Sequence, residues 1–256
     1  MKIDLDYIEF WATRHCNLNC KGCSSCSPLM AEWFPDLSRL NDDLRQLKRL
    51  GINILNINVL GGEPLLNPDL PKIFSLVKEI YPSTNLGLLT NGLLLPNMPD
   101  EFWRTCQECD VMLKVTCFPI MPANMRLDLE RTLRRKNLRF RLTDKKLFNK
   151  ILVLHNDATP EDIVNNCGCN KAYNLFEGFV SRCTVPMVVR DLNNYFKVDF
   201  ITAGRLDIYS VRDGREIIDF LETPNESCLN CAARTDKVAW EKVDGHPQLD
   251  DWLVGK

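Results

Sequence analysis

The sequence predicts an α/β fold with a parallel sheet flanked by helices, followed by a smaller cysteine-rich region. From residue 3 to about residue 155, strand-like segments alternate with helix-like segments. This repeated order is typical of a parallel sheet whose strands are connected by helices. After Pro160 the alternation stops, and residues 167–256 hold five of the twelve cysteines. We therefore predict one domain over residues 1–158 and a second over residues 159–256.

Six segments have the apolar character of strands in a buried sheet. They are residues 3–13, 52–60, 86–89, 111–117, 138–142 and 151–154. The segments between them carry apolar residues at helical spacing, three and four apart. The predicted helices are residues 37–50, 68–81, 100–109 and 127–136. In the second region we expect a hairpin over 172–182 and a helix over 215–221.

Composition and charge exclude several classes of function. The chain has 256 residues and a formal net charge of −2, so we expect no electrostatic binding of nucleic acid. The N-terminus lacks the pattern of a signal peptide, and no run approaches the ~18 apolar residues of a membrane span. We expect a cytoplasmic protein without a membrane partner. Disulfides are rare in that compartment, so twelve cysteines favour metal ligation or redox chemistry.

Three cysteines, Cys16, Cys20 and Cys23, form a C-x3-C-x2-C run just after the first predicted strand. Three thiolates on one short loop can hold three irons of a [4Fe–4S] cluster and leave the fourth iron open, whereas such clusters normally take four cysteines. A structural zinc loop is the alternative, since zinc sites also use C-x2-C units. Cys26 lies nearby, but we expect a thiol that is not a ligand.

A second motif, Gly61-Gly62-Glu63-Pro64, ends the second predicted strand. Two consecutive glycines at this point indicate a loop where the backbone approaches a ligand closely. Together, the two motifs resemble the signature of the radical S-adenosylmethionine (radical SAM) superfamily. The resemblance implies a partial (β/α)6 TIM-like barrel, a cluster at the three cysteines, and SAM on the open iron. It also implies that Gly61–Pro64 contact the methionine amino group of SAM.

Several residues at strand ends are candidates for contacts with SAM or substrate. Asn91 precedes Gly92 in what is either a turn or a SAM contact. Lys114 and Thr116 alternate with apolar residues in the fourth strand, as SAM or substrate contacts or as satisfied core groups. Cys117 is either a buried small residue or a hydrogen donor to a substrate radical. Arg141 is a candidate for holding a substrate hydroxyl or carboxylate.

A second set of cysteines resembles the SPASM and twitch extensions of radical SAM proteins. The spacing Cys167-x10-Gly178-x4-Cys183, followed by Cys228-x2-Cys231, matches their hairpin pattern. The resemblance implies a twitch-like domain with one auxiliary [4Fe–4S] cluster. Cys167 fits the spacing and Cys169 falls one residue short, and the choice between them stays open. A structural zinc site is the alternative.

The resemblance implies an enzyme that cleaves SAM to a 5′-deoxyadenosyl radical and abstracts a substrate hydrogen, with a flavodoxin- or ferredoxin-type reductant. The length and the spacing of Cys183, Cys228 and Cys231 resemble those of radical SAM dehydrogenases of aminoglycoside biosynthesis. We therefore expect oxidation or epimerisation of a sugar or aminocyclitol. Peptide modification is the second hypothesis, although residue 16 leaves little room for a leader-binding extension. A non-catalytic Fe–S or zinc scaffold is the third.

Overall fold

The computed structural model describes residues 2–255 and has the α/β fold that the sequence predicts. Its centre is an eight-stranded sheet, most of whose strands are parallel, and two small sheets of two strands each lie beside it. The strands are β1 (Ile3–Leu5), β2 (Ile8–Thr13), β3 (Ile52–Ile54), β4 (Asn56–Gly61), β5 (Asn85–Thr90), β6 (Met112–Cys117), β7 (Phe140–Asp144), β8 (Leu147–Leu152), β9 (Asn174–Phe176), β10 (Phe179–Ser181), β11 (Arg205–Asp207) and β12 (Cys231–Ala239).

Seven α-helices accompany the strands, and four of them alternate with the strands in the first part of the chain. They are α1 (Leu37–Arg49), α2 (Leu70–Ile80), α3 (Asp100–Glu108), α4 (Ala123–Arg135), α5 (Pro160–Asn165), α6 (Val185–Phe196) and α7 (Gly214–Glu222). Helix α6 was not predicted from the sequence, although Val185, Val188, Val189 and Leu192 follow the spacing of one helix face.

The order of strands in the central sheet is β11-β10-β9-β2-β4-β5-β6-β7. From β9 to β7 every neighbouring pair is parallel, whereas β10 and β11 are antiparallel additions at one edge. The carboxyl ends of the parallel strands therefore meet at the same edge of the sheet. The loops that follow β2, β4 and β5 carry the cysteine run, the Gly61–Pro64 motif and Asn91, respectively.

The sixth predicted strand, residues 151–154, is not part of the central sheet, and this prediction was wrong. The chain there forms β8, which pairs antiparallel with β12. Only Lys145 and Lys146 separate β7 from β8, whereas a parallel neighbour needs a crossover of about a dozen residues. The sixth parallel position is taken by β9, in the hairpin that was predicted over 172–182. The sheet thus contains strands from both sides of residue 158.

The two faces of the sheet have different surroundings. One face packs on α1–α4 through the main core, which includes Phe10, Phe74 and Phe102. The opposite face, which we call the inner face, is covered beside β2 and β9 by a second apolar cluster that includes Trp11, α6 and Trp252. Beside β4, β6 and β7 the inner face carries polar side chains.

No helix within residues 2–255 combines the length and the apolar composition that crossing a bilayer needs.

Candidate functional site

The three-cysteine loop begins directly after β2, with Cys20 buried and Cys16 and Cys23 partly buried. Burial raises the pKa of the Cys16 thiol to about 12, and the nearby Cys20, Cys23 and Glu63 add to this through their negative charge. Burial likewise raises the pKa of Cys20 to about 11. The three thiols thus converge, and without a cation the thiols of Cys16 and Cys20 resist ionisation. Positively charged irons would supply the compensating charge, so the residues fit a cluster.

Gly61 and Gly62 let the Gly61–Pro64 loop pack directly on the backbone that leads into the cysteine run. A Cβ at Gly61 would lie 2.0 Å from the Thr13 carbonyl oxygen, and a Cβ at Gly62 would lie 1.9 Å from that of His15. The same two carbonyls accept the N–H groups of Gly62 and Glu63, each at 3.0 Å. The glycines were expected to allow close approach of a ligand. In the structure they allow close approach of the chain's own backbone.

Glu63 is fully buried, and its carboxylate joins its own loop to the end of β5. Its Oε1 accepts the Thr90 hydroxyl at 2.6 Å and the Leu65 N–H at 3.1 Å, and its Oε2 accepts the Asn91 N–H at 2.8 Å. Desolvation by burial raises the pKa of its carboxyl to about 7, and these hydrogen bonds oppose the rise. Pro64 is buried at the start of a short 3₁₀ helix, Pro64–Leu66.

Asn91 lies where the loops after β2 and β5 meet. Its side-chain amide donates to Asn17 Oδ1 at 2.7 Å and lies 3.9 Å from Cys16 Sγ. Asn17 is the residue after Cys16 in the cysteine run. The structure therefore brings Asn91 together with the cysteine loop and Glu63, as the hypothesis of a SAM contact requires.

Lys114, Thr116 and Arg141 all point to the inner face. Lys114 Nζ donates to Asn58 Oδ1 at 2.8 Å, across Gly87 of the strand between them. Lys114 and Arg141 are register partners on β6 and β7, and Thr116 lies two residues beyond Lys114. Within residues 2–255 Arg141 forms no ion pair. Its guanidinium is therefore available to a ligand.

The polar character of the inner face continues toward β2 and β9, which the sequence analysis did not foresee. Glu9 is buried, accepts the Tyr7 hydroxyl at 2.6 Å and accepts the side-chain amide of Asn174 at 3.1 Å. It lies near enough to Lys114 to oppose the lowering of the Lys114 pKa that desolvation causes. The alternation of polar Glu9 with apolar Ile8 and Phe10 is the sequence pattern from which a polar side chain on this face could have been predicted.

Cys117 lies apart from these residues. Its side chain is buried in the core on the helix-covered face, near Arg126 and Asp144. Successive side chains of a strand point to opposite faces, so the thiol of Cys117 points away from Lys114 and Thr116. The structure does not bring Cys117 together with the inner face.

The second set of cysteines converges although its members come from three separate segments. Cys167 and Cys169 follow α5, Cys183 follows β10, and Cys228 and Cys231 flank the end of a short 3₁₀ helix. Burial raises the pKa of Cys183 to about 12, with Cys167 and Cys228 contributing charge. Burial also raises the pKa of Cys231, with contributions from Cys167, Cys183 and Cys228.

Cys167 and Cys169 share a hydrogen bond, which lowers the pKa of Cys167 to about 6 and raises that of Cys169. The Cys169 backbone N–H also donates to Cys167 Sγ at 3.3 Å. The five thiols of the second set thus lie near one another. In residues 2–255 no three His, Cys, Asp or Glu side chains are arranged to hold one metal ion. The fit to clusters rests on the grouping of the thiols.

The C-terminal segment adds contacts to the cysteine loop that the sequence analysis missed. Trp240 Nε1 donates to Cys20 Sγ at 3.1 Å, and Trp252 Nε1 donates to the Cys23 carbonyl at 2.8 Å. A Cβ at Gly22 would lie 3.4 Å from the Asp251 carbonyl oxygen, so the segment also covers the position before Cys23. More than two hundred residues separate these partners, and no local pattern marks the contact.

One segment of the chain matches a known protein family. Residues 12–113 match the radical SAM superfamily, and this segment contains both the cysteine run and Gly61–Pro64. This match supports a radical SAM superfamily enzyme. The cofactors of this superfamily are a [4Fe–4S] cluster and SAM, which the loop around Cys16, Cys20 and Cys23 fits.

The radical SAM segment is similar in sequence to GTP 3′,8-cyclases. The identity is 31% over 101 residues to the enzyme of Clostridium acetobutylicum, covering 38% of this chain and 31% of the cyclase. It is 35% over 94 residues to that of Nautilia profundicola, covering 36% of this chain and 29% of the cyclase. The match thus spans less than a third of the length of these relatives.

Two solved structures share the fold over most of the radical SAM chain. BtrN in complex with AdoMet and 2-DOIA has a TM-score of 0.57 at 17% identity, covering 90% of this chain and 94% of BtrN. anSMEcpe with bound AdoMet has a TM-score of 0.56 at 11% identity, covering 90% of this chain and 83% of that protein. These similarities support an α/β fold with a mostly parallel sheet.

Proposed function

We propose that this radical SAM protein abstracts a hydrogen atom from a small hydroxylated substrate of the sugar or aminocyclitol type and oxidises it. The observation that supports this most directly is the position of the polar inner face. Lys114, Thr116 and Arg141 lie on β6 and β7, which belong to the same parallel sheet as β2, and the cysteine loop follows the carboxyl end of β2. When bound, the cluster and SAM supply a 5′-deoxyadenosyl radical, which is the difficult part of the chemistry.

The residues of the chain bind the cofactors and the substrate and orient them. Cys16, Cys20 and Cys23 hold the cluster, and Gly61–Glu63 with Asn91 shape the place for SAM beside it. Lys114 and Arg141 donate hydrogen bonds to substrate oxygens, and the guanidinium offers two donors in a fixed geometry. The apolar cluster around Trp11 excludes water from one side of the inner face. A flavodoxin- or ferredoxin-type protein is the proposed reductant.

The second set of cysteines supports oxidation as the outcome. Cys183, Cys228 and Cys231, with Cys167 or Cys169, would hold an auxiliary [4Fe–4S] cluster in a twitch-like region, where it would accept the electron that oxidation of a carbinol releases. Epimerisation needs a hydrogen donor at the substrate instead. Cys117, the candidate donor, points to the helix-covered face. We therefore favour oxidation over epimerisation.

The test uses anaerobically reconstituted protein with SAM and dithionite. Hydroxylated sugars, aminocyclitols and short peptides are added separately, and 5′-deoxyadenosine and products are measured. We expect substrate-dependent 5′-deoxyadenosine and a ketone product with a sugar or aminocyclitol. The variant with Cys16, Cys20 and Cys23 all changed to Ala should form none. Turnover of peptides alone would favour peptide modification, and zinc without iron would favour a scaffold.

A further inference from the structure

Residues 240–252 pack along the whole cysteine loop. Cys20 forms an antiparallel bridge with Lys242, and the Lys21 N–H donates to the Glu241 carbonyl at 2.9 Å. Lys21 Nζ also lies 3.0 Å from Glu241 Oε2. These contacts attach the segment to the loop at its centre, so they place its side chains reproducibly against the thiols.

Trp240 directs its indole N–H at a thiol of the loop. The distance from Trp240 Nε1 to Cys20 Sγ is 3.1 Å, which is short for a hydrogen bond to sulfur. The indole stacks on Phe118 with ring centroids 5.8 Å apart and an interplanar angle of 24°. Phe118 in turn contacts Phe148, at 5.7 Å between ring centroids. The aromatic contacts hold the indole plane, and with it the direction of the N–H.

Trp252 provides an internal comparison. It belongs to the same segment and also donates an indole N–H to the cysteine loop, at 2.8 Å. Its acceptor, however, is the backbone carbonyl of Cys23, whereas the acceptor of Trp240 is a sulfur. Comparing variants of the two residues therefore distinguishes two effects. One is the packing of residues 240–252 on the cysteine loop, and the other is a hydrogen bond to the sulfur of a cluster ligand.

We propose that Trp240 is a positioning residue that makes the first cluster easier to reduce by donating its N–H to the Cys20 thiolate. Reduction adds negative charge that is shared by the ligand sulfurs. A donor dipole directed at one of them stabilises the reduced form more than the oxidised form, and hydrogen bonds to sulfur are an established determinant of cluster potentials. The inference rests on the cluster at Cys16, Cys20 and Cys23 and is independent of the proposed substrate.

The test compares the parent protein with Trp240→Phe and Trp252→Phe after anaerobic reconstitution. Iron content and the EPR signal that changes on adding SAM first establish that each protein holds the first cluster. The midpoint potential of that signal is then measured by redox titration. We expect a more negative potential for Trp240→Phe, which keeps the aromatic contact but has no N–H, and the parent value for Trp252→Phe. Equal potentials in all three proteins would overturn the proposal.

A second measurement needs no variant. Parent protein is labelled with nitrogen-15 in its tryptophan indoles, and the SAM-sensitive signal is examined by pulsed EPR. We expect a nitrogen-15 coupling, because Trp240 Nε1 lies one hydrogen bond from a cluster ligand. If no such coupling is detected in reduced parent protein, Trp240 does not donate to the cluster, even if Trp240→Phe fails to retain iron.

Discussion

Glu63 and Asn91 belong to different loops but share a buried hydrogen bond, from the Asn91 N–H to Glu63 Oε2 at 2.8 Å. Asn91 also donates through its side chain to Asn17, next to Cys16. The loops that follow β2, β4 and β5 therefore form one connected network. The network therefore connects the proposed sites of the cluster and of SAM.

The free energy of unfolding of the iron-free protein should depend on pH through Glu63. Burial raises the pKa of this carboxyl from 4.5 to about 7, so the folded state binds the proton more tightly than the unfolded state. The stabilisation is fully present below about pH 4.5 and is lost as the pH rises to 7, up to about 3 kcal/mol in all. Denaturation experiments at several pH values should show a smaller decrease in the free energy of unfolding with rising pH for Glu63→Gln than for the parent protein. The exposed control Glu108→Gln should keep the parent's dependence, and an unchanged dependence for Glu63→Gln would contradict the assignment.

Gly62→Ala should prevent assembly of the first cluster. The added Cβ would meet the His15 carbonyl oxygen at 1.9 Å and force the two loops apart, at a cost of at least about 1–3 kcal/mol. We expect iron to fall from about eight per chain to about four, as one of two clusters is lost. Glu108→Ala is the control, because that exposed side chain ends α3 and belongs to neither set of cysteines. Full iron content in Gly62→Ala would show that the loops can separate without consequence.

Changing Cys228 and Cys231 together to Ala should separate SAM cleavage from substrate oxidation. The residues of the first cluster are untouched, so unproductive formation of 5′-deoxyadenosine should persist while ketone formation fails. Because Cys231 begins β12, circular dichroism must first show a folded protein. The control is Cys106 with Cys109, which have the same spacing at the C-terminal end of α3 but lie in the core. Parent rates of product formation in the folded double variant would make the second site structural.

We expect Cys167 to be the ligand of the auxiliary cluster and Cys169 to be dispensable. Cys167 fits the expected spacing to Gly178 and Cys183, and its sulfur accepts the Cys169 N–H. Hydrogen bonds from the backbone to thiolates are typical of cluster ligands. Iron analysis should therefore show a loss of about four irons in Cys167→Ser and none in Cys169→Ser. The reverse pattern would assign the ligand to Cys169.

Arg141→Gln should weaken substrate binding without reducing SAM cleavage in the absence of substrate. The loss of a charged hydrogen-bond donor is expected to raise KM about tenfold. Arg139→Gln is the matched control, because Arg139 also adjoins Phe140 but is occupied by an ion pair with Asp110 at 2.7 Å. Steady-state kinetics give the KM of both variants, with the substrate identified among the sugars, aminocyclitols and peptides tested. Equal effects of the two changes would place the substrate elsewhere.

Sequence patterns within short segments were sufficient to predict the features that form within those segments. The alternation of strands and helices, the three-cysteine run and the glycine pair were readable, because each depends on spacing within a short segment. The four helices α1–α4 were predicted within a few residues, except that α4 begins at Ala123 rather than at residue 127. The hairpin of β9 and β10 was also predicted, with its turn at Glu177-Gly178.

The sequence by itself thus determined the α/β class and the cluster loop. Tertiary structure alone decided that β8 leaves the central sheet for β12, that β9 takes the sixth parallel position, and that Trp240 donates to Cys20. Such contacts join residues far apart in the chain. They form because the whole molecule must bury apolar surface and satisfy its hydrogen bonds together, and no single segment carries that information.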